Sequence, residues 1–162
     1  MRGFGLTKKL RQGKPILGYT DTETVKLDFD DTTFKNVKYW AERTLKWFKL
    51  GGYIILKSSK KSYHVIFNKT VSWTQNLKVV AWVALHAQNR GLVKWLLMQC
   101  IKKSSTVRIS NKNKKSPPRL VYSHGKQDKQ IQEFLEYRKH IKHIMRAVEK
   151  QQEKDGLVET IH

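Results

Sequence analysis

The sequence predicts an α+β fold: an antiparallel sheet with helices packed on one face, in the order β-α-β-β-α-α-β-β-α. Short segments in which apolar and polar residues alternate recur along the chain, and this period is that of a half-buried strand. Between them lie longer segments whose apolar residues recur every three or four positions, the period of a helix with one buried face. The 162 residues are enough for one domain with a single core.

The first strand and the first helix are predicted between residues 22 and 52. The apolar face of the strand at 22–30 is Val25, Leu27 and Phe29, and its polar face is Lys26, Asp28 and Asp30. Thr32 or Thr33 can cap the helix, because a hydroxyl there accepts hydrogen bonds from the first free amides. Gly51-Gly52 is predicted to end the helix, since glycine readily adopts the left-handed conformation that follows helices.

A hairpin, two helices, two short strands and a long helix are predicted to follow. The hairpin consists of the strands YIILK and SYHVIF, joined by the polar turn SSKK. Gly91 divides the helical stretch 73–103 into two helices, and Leu85 and Ile101 belong to their predicted core faces. The remaining elements are two short strands at 105–110 and 119–123 and one amphipathic helix at 126–154.

The predicted domain spans residues 21–154, between a basic N-terminal arm at 1–20 and a frayed tail at 155–162. The N-terminal segment has no apolar stretch of about 7–15 residues, so we expect no signal peptide. No apolar run approaches the roughly 20 residues that a membrane-spanning helix needs. These features predict a cytoplasmic protein that has no membrane partner.

The charge of the chain predicts a polyanionic partner. The sequence has 33 Lys and Arg residues against 13 Asp and Glu, a formal net charge of +20. Such an excess destabilises a compact fold by self-repulsion unless an anionic partner is bound. Nucleic acid is the first interpretation and an anionic membrane surface the second, although the chain lacks a basic amphipathic helix with bulky aromatic residues on its apolar face. The segment 43–127 contains no acidic residue, and we expect the binding surface there.

Three acidic residues, Asp28, Asp30 and Asp31, lie within four positions of this basic chain. Asp28 and Asp30 share one face of the predicted strand, about 7 Å apart along the backbone. Two carboxylates at this spacing can bind one divalent cation, and oxygen ligands suit Mg²⁺ or Mn²⁺. Asp31 could supply a third oxygen if the strand end turns inward. The alternative interpretation is a solvent-exposed strand edge with Asp31 as a capping residue.

Two further strands carry residues that suit phosphate groups. Alternation places Lys60, Ser62 and His64 on one face of the hairpin, and Arg108 and Ser110 on one face of the strand at 105–110, with Lys112 just beyond. The three strands therefore predict a sheet with one apolar face and one face that binds a metal or phosphates. The sequence has no glycine-rich loop ending in Gly-Lys-Ser/Thr, which excludes a P-loop nucleotide site.

The order of these motifs resembles the archaeo-eukaryotic primase superfamily, the primase–polymerases, whose members carry an hhhDhD motif, an SxH motif and a third acidic motif. VKLDFDD, residues 25–31, is similar to the first motif, and SYH, residues 62–64, to the second. Lys60 stands two residues before the serine, as in some members. TVRISNK, followed by PPRLVY, is similar to the basic strand of members from viruses and plasmids.

This resemblance implies an RRM-like, primase-type sheet and a nucleotidyltransferase that acts in DNA replication with Mg²⁺ or Mn²⁺. It implies that Asp28 and Asp30 hold the catalytic metals and that Ser62 and His64 contact the phosphates of the incoming nucleotide, so that Asp28, Asp30 and His64 are the predicted catalytic residues. Lys60, Arg108 and Lys112 would neutralise the triphosphate or the template. The implied partners are nucleoside triphosphates, single-stranded or primed DNA and other replication proteins such as a helicase.

The sequence departs from the family pattern at the third acidic motif. The interval between the SxH motif and the basic strand contains no Asp or Glu, and Asn89 is the nearest polar residue to the expected place. Two functions therefore stay open: a minimal primase or polymerase, and a degenerate member that binds nucleic acid without efficient catalysis. A metal-dependent nuclease that uses Asp28 and Asp30 is a weaker third alternative, because no acid–lysine pair follows on the next strand.

Overall fold

The computed structural model of the chain describes residues 3–8, 16–112 and 114–159. Within these residues the elements are β1 (Gly3–Lys8), β2 (Ile16–Asp21), β3 (Thr24–Phe29), α1 (Phe34–Phe48), β4 (Gly52–Ser59), β5 (Ser62–Thr70), α2 (Trp73–Ala87), α3 (Arg90–Lys102), β6 (Ser105–Arg108), β7 (Arg119–Gly125) and α4 (Lys129–Glu159). The predicted α+β class with antiparallel sheets is confirmed. The strands β1 and β2 precede the first strand that the sequence predicted.

The strands form two antiparallel sheets instead of the single predicted sheet. A four-stranded central sheet has the order β3-β5-β4-β7, and a three-stranded second sheet has the order β1-β2-β6. Residues 3–8 and 16–20, predicted as parts of a basic arm, thus belong to strands, while residues 9–15 lie outside the described residues. Ile16 and Tyr19 of β2 are buried, and Tyr19 belongs to a core cluster with Val107 of β6 and Phe134 of α4, which gives this segment a place in the fold.

The helices cover both faces of the central sheet, so the prediction that they pack on one face is wrong. The helices α1, α2 and α3 contact the face that carries Leu27 and Val65, whereas Ile131 and Phe134 of α4 contact the opposite face. The physical reason is visible in YIIL of β4, residues 53–56, where successive apolar side chains serve opposite faces. A continuous apolar run of this kind is typical of a strand that is buried on both sides.

Several helix ends differ from the predicted positions. Thr33 caps α1 as predicted, since its hydroxyl accepts a 3.2 Å hydrogen bond from the amide of Asn36. The helix ends at Phe48, before the predicted Gly51-Gly52, and the left-handed residue that caps it is Lys49. The break between α2 and α3 falls at 88–89, before Gly91. Residues 155–159, predicted as part of a frayed tail, continue α4. Of the described helices, none has the length and hydropathy that crossing a bilayer requires.

Two residues predicted to lie in the core of the helical layer are exposed. Leu85 and Ile101 are each 74% exposed, because they lie on the outer faces of α2 and α3. These helices carry apolar residues on more than one face, so the periodicity alone could not identify the buried stripe.

A buried ion pair joins the two sheets next to the pocket described below. The ammonium group of Lys26 on β3 lies 2.8 Å from Oδ1 of Asp21 on β2, and both side chains are almost completely buried. The same ammonium donates hydrogen bonds to the backbone carbonyl (3.1 Å) and the hydroxyl (2.7 Å) of Ser105 on β6. Burial lowers the pKa of Lys26 to about 8, against the opposing effect of Asp21. These contacts set the position of β6 relative to β3.

Candidate functional site

A pocket of about 400 Å³ lies where β3 and β5 of the central sheet meet β6 of the second sheet. It contains six of the predicted site residues: Asp28, Asp30, Ser62, His64, Arg108 and Lys112. Residues that the sequence analysis did not single out also line it, among them Ser58, Ser59, Trp95, Thr106 and Lys115. The strand alternation accounts for four of the predicted residues. Asp28 lies on β3 and Asp30 just beyond its end, while Ser62 and His64 lie on the adjacent strand β5.

Asp28 and His64 are direct neighbours across the β3–β5 pair. Their side chains lie on the same face of the sheet, with His64 Nε2 3.4 Å from Asp28 Oδ1. The carboxylate of Asp28 is partly exposed to the pocket, whereas the ring of His64 is buried. Val25, Leu27 and Phe29 occupy the opposite face, in the core, as the alternation predicted.

The environment shifts the pKa values of both side chains toward their neutral forms. Burial, with the nearby charge of Asp30, raises the pKa of Asp28 to about 7, although Arg108, Lys112 and Lys115 act in the opposite direction. Burial and the charge of Arg108 lower the pKa of His64 to about 3, so its ring is neutral at pH 7. Two carboxylates that face one pocket and repel each other are an arrangement that a divalent cation would stabilise.

The guanidinium of Arg108 is held at the pocket wall by three backbone carbonyl groups. Nη1 donates to Ser110 O (2.6 Å) and Ser116 O (2.8 Å), and Nη2 donates to Ser58 O (3.0 Å). These bonds connect β6 with β4 and with the loop before β7. The carbonyl groups fix the position of the positive charge without neutralising it, so it remains available to an anion in the pocket.

Three predicted site residues lie outside the pocket. Ser110 is buried, and its hydroxyl accepts a 2.7 Å hydrogen bond from the amide of Leu17, so it joins β2 to the end of β6. The side chain of Asp31 is 85% exposed and lies 3.4 Å from Lys61 Nζ, which does not bring a third carboxylate to Asp28. Lys60 lies in the hairpin turn and lines a neighbouring groove.

Asn89 connects the end of β3 to the start of α3. Its Oδ1 accepts from the amides of Asp30 (3.3 Å), Gly91 (3.0 Å) and Leu92 (3.3 Å), and its Nδ2 donates to Asp30 O (2.7 Å). The amide group therefore caps α3 and holds the backbone of Asp30, so it does not replace the missing carboxylate as a metal ligand. A Cβ at Gly91 would lie 2.8 Å from Cβ of Asp30, which explains a glycine inside this first turn.

We expect Asn89→Ala to lower the free energy of unfolding by about 1 kcal/mol or somewhat more, because it removes a helix cap and the contact with Asp30. Asn89→Ser should recover only the part of this loss that comes from the helix cap. A serine hydroxyl caps a helix well but is too short to contact Asp30 O at the same time. Urea unfolding measures both effects, with Lys94→Ala at an exposed position of α3 as the control. Equal stability of Asn89→Ala and the wild type would contradict the role assigned to Asn89.

The donor set of the pocket fits Mg²⁺ or Mn²⁺ bound together with a phosphate ligand. Among the described residues, no three His, Cys, Asp or Glu side chains form a group that could hold a metal ion by themselves. The pocket provides two carboxylates, Asp28 and Asp30. Mg²⁺ commonly binds proteins through one or two carboxylates and completes its coordination with water and substrate phosphates. Two carboxylates are therefore enough for a cation whose coordination is completed by water and phosphate oxygens.

A basic groove of about 850 Å³ adjoins the pocket and shares Ser58, Ser59 and Lys115 with it. Its six cationic lining residues are Lys57, Lys60, Lys115, Arg119, Arg138 and Lys142. None of the described residues that line it is acidic. The acid-free segment 43–127 predicted this surface in part, but Arg138 and Lys142 come from α4, and only the fold brings them there.

Comparisons of the chain with protein-family models, with curated proteins and with solved structures found no match. The resemblance to primase–polymerases depends on the segments VKLDFDD, SYH and TVRISNK and stays a prediction. The pocket and the basic groove provide an independent basis for an interpretation of function.

Proposed function

We propose that the chain is a DNA replication protein of the primase or polymerase type, a nucleotidyltransferase that uses divalent metal ions. The observation that supports this most is the convergence of Asp28 and Asp30 from β3, His64 from β5 and Arg108 from β6 in one pocket. Carboxylates for a cation and fixed positive charges for phosphates are the two parts that phosphoryl transfer requires. The proposal includes a cytoplasmic location and other replication proteins, such as a helicase, as partners.

In this proposal Asp28 and Asp30 hold Mg²⁺ or Mn²⁺, which when bound would stabilise the attacking and leaving oxygens at the α-phosphate. Arg108 and Lys112 neutralise the triphosphate, and Ser62 donates a hydrogen bond to a phosphate oxygen. The ring of His64 lies beside Asp28, with Nε2 3.4 Å from Oδ1, and because the ring is neutral it adds no positive charge that would oppose the metal.

The basic groove gives the nucleic acid a path to the pocket. The cationic side chains of the groove suit a phosphate backbone. Because Ser58, Ser59 and Lys115 line both the groove and the pocket, a backbone bound in the groove would lie beside the nucleotide. Single-stranded or primed DNA is the substrate that a primase or polymerase of this kind would bind.

The second candidate is a primase-like protein that binds nucleic acid without efficient catalysis. The observation that favours it is that only two carboxylates line the pocket among the described residues, while the amide of Asn89 is used in backbone contacts. A metal-dependent nuclease at the same carboxylates is the weaker third candidate.

A template-directed synthesis assay tests the proposed activity. Purified protein is incubated with single-stranded or primed DNA, labelled deoxynucleoside or nucleoside triphosphates and Mg²⁺ or Mn²⁺, beside an Asp28→Ala/Asp30→Ala variant. The expected result is metal-dependent synthesis that the double variant loses. Equal DNA binding by both proteins without any synthesis would favour the second candidate, and metal-dependent shortening of the DNA would favour the nuclease.

DNA binding is expected to weaken steeply with salt, because lysine and arginine release counterions when they neutralise phosphates. Replacing Lys60, Arg119 and Lys142 in the groove by alanine should reduce the slope of log K against log salt by about 2 to 3. The control replaces Lys35, Lys94 and Lys102, which are exposed on the helical layer and change the net charge equally. A salt-independent affinity, or equal slopes for the two triple variants, would show that the groove does not bind the backbone.

A further inference from the structure

A second surface with the chemistry of a nucleic-acid site lies on the outer side of α1 and α2. Its groove of about 610 Å³ is lined by Arg43, Lys46, Trp47, Trp82 and His86, and we call these five residues the aromatic platform. The helices α1 and α2 pack on the sheet face that carries Leu27, whereas Asp28 and His64 belong to the other face. The platform is therefore separate from the pocket and from the basic groove.

Trp47 presents a large flat ring to solvent. Its side chain is 70% exposed, and it is not part of the core cluster that α1 forms with the sheet. An exposed aromatic ring of this size is available to stack with a flat ligand. Trp47 thus differs from Trp40 and Trp82, which pack against the core.

The ring of Trp47 is oriented by its neighbour. Trp82 lies nearly parallel to it, with ring centroids 5.9 Å apart and an interplanar angle of 12°. Trp82 is in turn held edge-on by Trp40 at 6.3 Å and by Phe48 at 5.5 Å, and His86 donates from Nδ1 to its backbone carbonyl (2.6 Å). The outer face of Trp47 is therefore preorganised, which reduces the entropy lost when a flat ligand stacks on it.

The charges around Trp47 select an anionic ligand. Arg43 and Lys46 are exposed on the same helix, and none of the described residues that line this groove is acidic. Tyr39 stands one turn before Arg43, is 49% exposed and accepts a 3.0 Å hydrogen bond from Arg43 Nη1. Tyr39, Arg43 and Trp47 thus form a stripe along α1 of about 12 Å, in which two aromatic rings flank a cation.

We propose that the aromatic platform binds single-stranded nucleic acid by stacking an unpaired base on Trp47 while Arg43 and Lys46 contact the adjacent phosphates. A flat aromatic face with cations beside it matches a base and its backbone, and bases must be unstacked to reach it. A nucleotide unit supplies both the flat ring that Trp47 can stack on and the negative charge for its cationic neighbours, whereas the acidic side chains of a peptide supply only the charge. The inference needs neither metal nor catalysis, so it goes beyond the proposed function and does not depend on it.

The test compares a labelled oligothymidylate with an abasic oligomer of the same length, by fluorescence anisotropy in EDTA at one fixed salt concentration. EDTA removes any contribution of the metal site. Trp47→Ala should weaken binding of the oligothymidylate about tenfold, the order expected for one stacked base, and leave binding of the abasic oligomer unchanged. Trp47→Phe should recover most of the affinity because it keeps an aromatic face. Leu85→Ala, at an exposed apolar position of α2, is the matched control.

The same measurements can overturn the proposal. Unchanged oligothymidylate binding by Trp47→Ala, or an equal loss on both oligomers, would exclude base stacking at Trp47. An equal loss in Leu85→Ala would show a general effect on the fold. Sedimentation of the same variants is measured in parallel, and if Trp47→Ala changed only the sedimentation behaviour, the platform would be a contact between protein chains. Loss of synthesis in the Asp28→Ala/Asp30→Ala variant concerns the proposed enzyme alone, so the two proposals can fail separately.

Discussion

Asp28→Asn is expected to lower the affinity for Mn²⁺ in the presence of a nucleotide by at least about 100-fold, and nucleotide transfer with it. Loss of a residue that only hydrogen-bonds to a metal ligand already lowers metal affinity about 10- to 100-fold. Asp28 would itself be a ligand, so a larger loss is expected. Asparagine keeps the size of the side chain, so the packing beside His64 changes little. Electron paramagnetic resonance of free Mn²⁺ measures the binding, and primer extension measures the transfer.

Asp31→Asn is the matched control, because Asp31 is three positions away but its side chain is exposed and faces Lys61. We expect it to change the Mn²⁺ affinity less than about twofold, since exposed charges contribute little. If both variants lost the same affinity, the metal would not be bound in the pocket. If neither lost any, the chain would not use Asp28 for a metal.

Metal binding is expected to depend on pH through the raised pKa of Asp28. Burial and Asp30 raise the pKa of Asp28 to about 7, and the carboxyl group must lose its proton before it binds a cation. The Mn²⁺ affinity of the wild type is therefore expected to fall as the pH is lowered below about 7 and to level off above it. Titration of Mn²⁺ between pH 6 and 8 measures this, and a flat profile would contradict a raised pKa at the ligand.

Asp21→Ala is expected to lower the free energy of unfolding by about 3–5 kcal/mol, because it leaves the ammonium of Lys26 buried without its partner. Replacing both residues by apolar ones, as in Asp21→Leu/Lys26→Met, should recover most of this loss, since no charge is then buried. Urea unfolding of the wild type, Asp21→Leu, Lys26→Met and the double variant measures the coupling between the two side chains.

Glu136→Ala provides the comparison with an exposed ion pair. Glu136 Oε1 lies 3.0 Å from Lys139 Nζ on α4, with both side chains largely in solvent. Its removal should cost no more than about 0.5 kcal/mol. A cost for Asp21→Ala as small as that for Glu136→Ala would mean that Lys26 does not remain charged in its buried position.

The contribution of the Asp21–Lys26 pair to the free energy of unfolding is expected to decrease at acidic pH. Burial by itself raises the pKa of Asp21, but the charge of Lys26 and the hydrogen bonds from Lys26 and Thr24 outweigh it, and the pKa lies below its ordinary value of 3.8. A lowered carboxyl pKa contributes stability above the unfolded value, and this stability is lost as the pH falls through the folded value. The difference in stability between wild type and Asp21→Ala should therefore narrow below about pH 3.8. A constant difference down to pH 2 would contradict this.

Much of the candidate site could be predicted from local patterns. The alternation in TETVKLDFD separated Val25, Leu27 and Phe29 from Asp28, and the hairpin pattern placed Ser62 and His64 on the strand that pairs with β3. These features follow from local backbone geometry, in which successive side chains of a strand point to opposite faces. They can therefore be predicted from a single sequence. The net charge of +20 likewise comes directly from composition and predicts an anionic partner.

Other features follow only from the tertiary structure. The strand β6 belongs to a second sheet, and Asn89 holds the backbone of Asp30. The guanidinium of Arg108 is held at the pocket by carbonyl groups of β4 and of the loop before β7, besides that of the nearby Ser110. Lys26 was placed on the polar face, yet it is buried against Asp21 and Ser105, the latter 79 positions away along the chain. Local alternation predicts which side chains share a face of a strand. Which segment packs against that face depends on contacts between residues far apart in the sequence. The sequence by itself therefore determined the two faces of β3, and the assembly of the two sheets decided that one of them would form a pocket.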